Sequence, residues 1–285
     1  IQGLIMVVGL VVLSLAAVIE LGGFSVIAQK VNEAAPTALT LMGGKTIPVF
    51  LGSMVGLLGI GLGYPGQPHV ITRYMAAKDS KTIKKGMWIA FGWGTLMYSS
   101  AILLGICGQV LFPGLADAEH LFPTAAESLL PTFLTAIVLT GVLAAIMSTV
   151  SSQIIVAASA IAHDIYNKVI HVSLTSSQII KISRLTIFVI GLGAMLVALM
   201  DTRVIFWFVL FAWSGLGASF GPVILFTLYS KKVTRNGAIG GILTGFFTTI
   251  VWKTAGLSDT IIYELVPAFL LSSFVIWGIS RKQVN

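Results

Sequence analysis

Charge is what this chain has least of. Asp, Glu, Lys and Arg together make up 9% of its 285 residues, against about a quarter in a water-soluble domain. Too few ionic side chains are present to cover a water-facing surface, which excludes a soluble one- or two-domain enzyme. The 56% hydrophobic content excludes a disordered chain as well. Cys107 is the one cysteine, so no intrachain disulfide and no thiolate metal cluster can form. The four histidines have no partner at a metal-ligand spacing, and H-E-x-x-H does not occur. No nucleophile–base pair stands out, so intramembrane catalysis has little support. Apolar–polar alternation is lacking too, which excludes a transmembrane barrel. The first residue, Ile1, already lies in an apolar run with neither an initiator Met nor a signal peptide before it, so the sequence reads as a piece of something longer.

What the chain has instead is long apolar runs, and a mean hydropathy of +0.99. A helix crosses the roughly 30 Å hydrocarbon layer with about 20 apolar residues. Eight runs qualify: Ile1–Leu21, Ile47–Ile71, Trp88–Leu111, Thr132–Ile161, Ile182–Met200, Val204–Tyr229, Ala238–Trp252 and Ile261–Ile279. The expected class is an all-α integral membrane protein, multi-pass in a cell membrane, with residues 1–285 as a single transmembrane domain whose partner is the lipid bilayer.

The basic residues set the orientation. With the first helix starting on the cytoplasmic side, Arg73, Lys78, Lys81, Lys84 and Lys85 fall inside, as do Lys168, Lys181, Arg184, Lys231, Lys232, Arg235, Arg281 and Lys282. Only Lys30, Lys45, Arg203 and Lys253 of the 17 fall outside. This positive-inside bias places both ends of the chain in the cytoplasm. The stretch from Pro113 to Pro131 agrees, since it holds Asp117, Glu119 and Glu127 but no Lys or Arg. The formal charge of +7 is thus a topology signal, and no nucleic-acid partner is expected.

Two segments depart from a plain membrane helix. The second span contains Gly59-Ile60-Gly61-Leu62-Gly63-Tyr64-Pro65-Gly66-Gln67-Pro68-His69, with four glycines and two prolines in eleven residues. Proline removes an amide donor and clashes with the preceding turn, and glycine lowers the cost of unwinding. Non-helical backbone survives at membrane depth where it is buried in protein or lines a cavity, and a discontinuous span is a pointer to a transporter binding site. A simple proline kink is the alternative; Tyr64, Gln67 and His69 within the same break favour the site. Gly61 to Gly66 formally matches G-x-G-x-x-G, but no βαβ pattern surrounds it, so it is not a dinucleotide loop.

The second segment is in the fourth span, where Ala145, Ser148, Thr149 and Ser152 follow i, i+3, i+4, i+7 spacing and share one helix face. That face offers three hydroxyl oxygens and, if the helix loosens, the Ala145 carbonyl, which suits Na⁺. The same residues equally suit close packing, with hydroxyls returned to their own i−4 carbonyls. Spacing alone favours packing. Gly237, Gly241 and Gly245, and likewise Gly217 and Gly221, read as packing faces. Glu20 and Glu264 lie near span ends, where an interfacial position is expected over a proton relay.

Taken in order, these motifs resemble the sodium/solute symporter family, most of all its sodium/proline symporters. The resemblance rests on Gly61 to His69, Arg73-Tyr74-Met75-Ala76-Ala77, Leu143 to Thr149, Ala212-Trp213-Ser214-Gly215, Phe220-Gly221-Pro222-Val223, Asn236-Gly237-Ala238, Val251-Trp252-Lys253 and Tyr263 to Pro267. It covers nearly the whole chain and implies a LeuT-type inverted-repeat fold working by alternating access. Span one would match core helix five, spans two to six core helices six to ten, and the last two accessory helices. The fold would then be incomplete, without core helices one to four.

The resemblance further implies Na⁺ as coupling ion, held by the Ala145 carbonyl and the Ser148 and Thr149 hydroxyls together with ligands from a broken first core helix outside this sequence. It implies a small solute, L-proline first, at Tyr64 and Pro68, with Gln67 beside them in the break. One position departs: Ile60 stands where the proline carriers have tryptophan four residues before this tyrosine. Pantothenate, another carboxylate or another amino acid are the alternative solutes; a transporter-like membrane sensor and a non-functional remnant are the alternative roles.

Overall fold

The computed structural model describes the backbone of residues 2–34, 36–37, 40–170, 174–199, 205–230 and 232–284. Ile1, Met200 and Val204, which bound expected spans, and Arg203 and Lys231, which enter the charge count, lie outside the described residues, as does the side chain of Lys168. Every regular element among the described residues is helical. In chain order they are α1 (Gln2–Glu20), α2 (Phe24–Ala34), α3 (Ile47–Gly59), a 3-10 segment (Ile60–Gly66), α4 (Pro68–Met75), α5 (Ser80–Leu111), a 3-10 turn (Ala118–His120) and α6 (Leu121–Leu129). There follow α7 (Thr132–Ser159), a π-helical stretch (Ala160–Val169), α8 (Ser176–Ala198), α9 (Ile205–Tyr229), α10 (Arg235–Thr254), α11 (Leu257–Thr260) and α12 (Leu265–Val284).

Among the described residues seven helices are long and apolar enough to cross a membrane, one fewer than the sequence runs suggest. The difference is Ala238–Trp252. It lies in α10, which has the length at 20 residues but whose apolar content is diluted by four threonines, four glycines and Lys253. α10 packs against both α9 and α12 through its small-residue face and leaves Ile239, Leu243, Phe246, Phe247 and Val251 exposed. α5 differs in the other direction. It starts at Ser80 rather than Trp88, carrying Lys81, Lys84 and Lys85 on its first turns. The Asp79 carboxylate caps it by accepting from the Thr82 hydroxyl and the Thr82 N–H, both at 2.7 Å. Those bonds, the hydroxyl's first, hold the Asp79 carboxyl below the usual aspartate range.

The chain forms two compact units, each made of two segments: residues 1–44 with 77–197, and residues 45–76 with 198–285. In the first, α1 packs against α5, α6 and α7. Leu10, Leu13, Ala17, Leu104, Cys107, Ala125 and Ala126 form its core, and the Thr135 hydroxyl donates to the Ala126 carbonyl at 2.8 Å, tying α7 to α6. α1 ends because Gly22 and Gly23 take positive φ (88° and 102°), letting the Gly23 N–H return to the Val18 carbonyl at 3.0 Å.

In the second unit α9, α10 and α12 pack together with the 3-10 segment and α3. Lipid tails are as apolar as leucine, so such helices associate through close van der Waals contact and hydrogen bonds. The expected small-residue faces are packing faces: Gly237 and Gly241 lie against Ser280 and Ile276 of α12, and Gly245 lies against the Ala218 backbone of α9. The Ser272 hydroxyl adds a bond to the Gly241 carbonyl at 2.9 Å.

Candidate functional site

The break in the second span is real and its limits follow from two prolines. After α3, residues Ile60–Gly66 wind as a 3-10 helix that contains Pro65, longer than the three or four residues usual for that geometry. Pro68 then pushes its predecessor out of the helical region, and Gln67 is extended at φ −87°, ψ 112°. Pro68 itself, having no N–H to lose, opens α4.

Glycine lets this non-helical backbone lie directly on α9. A Cβ at Gly66 would stand 2.6 Å from both the Gly217 Cα and the Leu216 carbonyl oxygen, and one at Gly63 would fall on the Trp213 indole. Side chains then fasten the contact. Trp213 Nε1–H donates to the Ile60 carbonyl at 3.1 Å, and Gln67 Nε2–H donates to the Trp213 carbonyl at 3.1 Å and the Gly63 carbonyl at 3.4 Å. The Ile60 and Gly63 carbonyls of the 3-10 segment thus have side-chain partners, as backbone groups must at membrane depth. The Tyr64 ring meets Trp213 edge-to-face, centroids 4.9 Å apart at 82°.

The expected solute residues fall into different places. Tyr64 is 48% exposed and Pro68 is partly buried. Gln67, expected beside the solute, is 2% exposed with its amide N–H groups turned to backbone, so its visible work is to fasten the break.

A second polar group lies next to Trp213. The Ser214 hydroxyl is 2.8 Å from the Leu210 carbonyl, 2.7 Å from the Tyr263 hydroxyl and 3.2 Å from a Glu264 carboxylate oxygen. The Tyr263 hydroxyl donates to the Leu210 carbonyl at 2.8 Å. Glu264 is 2% exposed, a burial the expected interfacial position does not anticipate; the Ser214 hydroxyl meets its carboxylate at 3.2 Å.

The expected ion face lies in the other unit, on α7. α7 is regular through Ala145, Ser148 and Thr149, and loosens only from Ala160 onward. The Thr149 hydroxyl donates to the Ala145 carbonyl at 3.1 Å, and the Ser152 hydroxyl to the Thr149 carbonyl at 2.8 Å. Ser148 and Thr149 are exposed, and Ala145 is partly buried. Two hydroxyls and a carbonyl form a neutral, hard-oxygen donor set, suited to a weakly held hard cation rather than to zinc or copper. Trp213, Ser214 and Tyr263 carry no role in the sequence reading; their signal was membership of the motifs around Ala212 and Tyr263. Together these features supply no nucleophile with a base beside it.

Residues 1–245 match the Sodium:solute symporter family. The high-affinity proline transporter PutP of Bacillus subtilis (strain 168) is 33% identical over 98% of this chain and 59% of its own length. The osmoregulated proline transporter OpuE of the same organism is 34% identical over 95% and 56%. The sodium/proline symporter of Escherichia coli (strain K12) is 32% identical over 96% and 55%. The chain therefore spans little more than half the length of these relatives. The solved structure of a Na⁺-coupled sialic acid symporter, substrate-bound and outward-open, superposes with a TM-score of 0.73 at 20% identity, over 98% of this chain and 60% of that one.

Proposed function

This chain belongs to the sodium:solute symporter family, and from that premise we propose that it forms part of a transporter that couples inward Na⁺ movement to uptake of L-proline. The observation that carries the reading is the broken span: a 3-10 segment inside an apolar helix, fastened to α9, with the Tyr64 ring presented beside Trp213. The proline transporters of similar sequence support proline as the solute.

In this mechanism Tyr64 packs against the solute, Pro68 keeps the span unwound, and Gln67 holds the unwound backbone to α9. Na⁺ is taken by the Ala145 carbonyl and the Ser148 and Thr149 hydroxyls, completed by ligands from elsewhere in the whole protein. To serve, the Thr149 hydroxyl hydrogen turns away from the Ala145 carbonyl, so that both oxygens face the ion. The ion drives the cycle by binding one conformational state more tightly than the other, and the membrane potential adds about 2.3 kcal/mol per charge per 100 mV. The two chain ends lie in the cytoplasm; Lys232, after α9, and Arg281, late in α12, line one cavity, which supports the same-side placement of these two basic stretches.

The test is labelled-proline uptake by proteoliposomes carrying the whole protein. Ser148→Ala and Thr149→Ala should each raise the Na⁺ concentration for half-maximal uptake by about tenfold, the equivalent of ~1.4 kcal/mol for one lost ligand. Unchanged Na⁺ dependence would remove the ion assignment, and uptake that ignores Na⁺ altogether would remove the coupling. Ile60 in place of tryptophan favours a second solute reading, which a competition panel of pantothenate, other carboxylates and amino acids against labelled proline decides.

A further inference from the structure

The cavity between the end of α9 and the end of α12, which bears on orientation above, holds neither the solute nor the ion in the transport reading. It measures about 370 Å³ and is lined by Phe226, Ser230, Lys232, Trp277, Ser280 and Arg281. Two cations face it, and no Asp or Glu occurs in residues 221–235 or 271–285, the stretches that supply its walls. The Arg281 guanidinium lies 5.3 Å from the centre of the Trp277 ring. Stacking on an indole leaves the guanidinium N–H fork free to engage an oxyanion in two-pronged fashion.

Ser280 is 5% exposed and accepts from the Thr234 N–H at 3.2 Å and the Thr234 hydroxyl at 3.4 Å. The Thr234 hydroxyl in turn accepts from the Gly237 N–H at 3.2 Å. This chain of bonds runs toward Ser280 Oγ, so its own hydroxyl hydrogen is available to a group in the cavity. A second hollow of about 320 Å³ shares Phe226 and Ser230 with it and lies along the last turns of α9 over Leu225 and Tyr229. Its lining is almost wholly apolar.

A cationic cup that adjoins an apolar groove at the end of a membrane helix matches a molecule with an anionic head and a hydrocarbon tail. We infer that this cavity is a binding site for an anionic phospholipid, the phosphate held by Lys232, Arg281 and the Ser280 hydroxyl, and an acyl chain lying over Leu225, Phe226 and Tyr229. A soluble phosphate would use the cup and leave the groove empty; the apolar groove sharing Phe226 and Ser230 with the cup selects the lipid. Basic pockets between membrane helices are suited to such head groups. Each basic residue near an anionic membrane surface contributes about a fivefold preference.

Trp277 makes the site readable. The whole protein in phosphatidylcholine nanodiscs is titrated with brominated phosphatidylglycerol or with brominated phosphatidylcholine, and tryptophan quenching is followed. Phosphatidylglycerol should quench in excess of phosphatidylcholine, the excess should vanish in Trp277→Phe, and Lys232→Gln with Arg281→Gln should weaken it about 30-fold. Lys232→Gln alone, at an exposed position, should weaken it about fivefold and serves if the double variant does not fold. Equal quenching by the two lipids would overturn the inference, as would an excess that survives Trp277→Phe or is indifferent to the lysine. Glycerol 3-phosphate at the same concentration should leave the excess intact; displacement by it would identify a soluble phosphate site and overturn the lipid assignment.

Discussion

Two glycines of the 3-10 segment make a matched experiment on how the break is held. Gly66 abuts backbone only: an added Cβ would stand 2.6 Å from the Gly217 Cα and Leu216 carbonyl oxygen, and 2.8 Å from the Gly217 carbonyl oxygen. Ordinary contact begins near 3.4 Å, so α9 must recede by roughly 0.8 Å to admit the methyl group. A shift of that size stretches the Trp213–Ile60 and Gln67–Trp213 bonds from 3.1 Å past hydrogen-bonding range. Overpacking costs about 1–3 kcal/mol and each lost bond about 0.5–1.5 kcal/mol, giving Gly66→Ala a destabilisation of about 2–6 kcal/mol. Gly61, in the same segment, has nothing within 4 Å of its added Cβ. There the substitution only narrows the unfolded chain's freedom and should be neutral or stabilise by about 0.4–1 kcal/mol. Thermal unfolding of the two variants in detergent, followed by size-exclusion of the surviving fraction, compares them directly. Gly66→Ala should melt several degrees below the parent and Gly61→Ala at or above it. Equal melting of the two variants would refute the close docking of the break on α9.

Two further outcomes follow from bonds at the break and at the start of α5. Gln67→Leu keeps the volume but leaves the Gly63 and Trp213 carbonyls without their donor, a loss of about 1–3 kcal/mol, whereas Trp213→Phe keeps the aromatic contact and loses one bond of about 1 kcal/mol; ranked by melting temperature and by proline uptake, Gln67→Leu should be the poorer, and the reverse order would displace Gln67 from its fastening role. Asp79 is held below its ordinary range by Thr82, so the unfolded form binds its proton more readily and the cap's contribution, present above the ordinary aspartate range, is lost as pH falls through the depressed folded value. Exchange protection of the Thr82 amide, corrected for intrinsic rate, should decline over that acidic window and be absent at every pH in Asp79→Ala.

The parts of this architecture that depend on nearest neighbours in sequence are the parts a reader of the sequence can find. Pro65, Pro68 and the glycines between Gly59 and Gly66 announce the break, because proline and glycine act on their own backbone and on the residue before them. The face formed by Ala145, Ser148 and Thr149 is likewise legible from spacing, and so is its competing use, since the Thr149 hydroxyl does return to the Ala145 carbonyl. What spacing cannot supply is the partner across space. Gln67 and the Trp213 carbonyl it bonds are 146 residues apart, and Trp213 and Ile60 are 153 apart. Gly217 could be read as part of a small-residue stripe, but not as the seat of the broken span. Glu264 misleads for the same reason: beside an apolar run a carboxylate reads as interfacial, and the hydroxyl that meets it in its buried position comes from Ser214, 50 residues away.

The length of α5 exceeds what a straight crossing of the bilayer requires. Trp88 is 67% exposed and stands edge-to-face with Phe91, centroids 6.1 Å apart, a pair suited to the aromatic belt at the water boundary. From Trp88 to Leu111 the helix rises about 36 Å, while the hydrocarbon it crosses is about 30 Å thick. The helix is therefore long enough to cross with some tilt, which its packing against neighbouring helices sets. Lys85, Lys84 and Lys81 then fall within the next two turns, level with the lipid phosphates, and the Asp79 cap stands in water. Trp88 thus serves as an interfacial anchor for a helix longer than the hydrocarbon layer is thick.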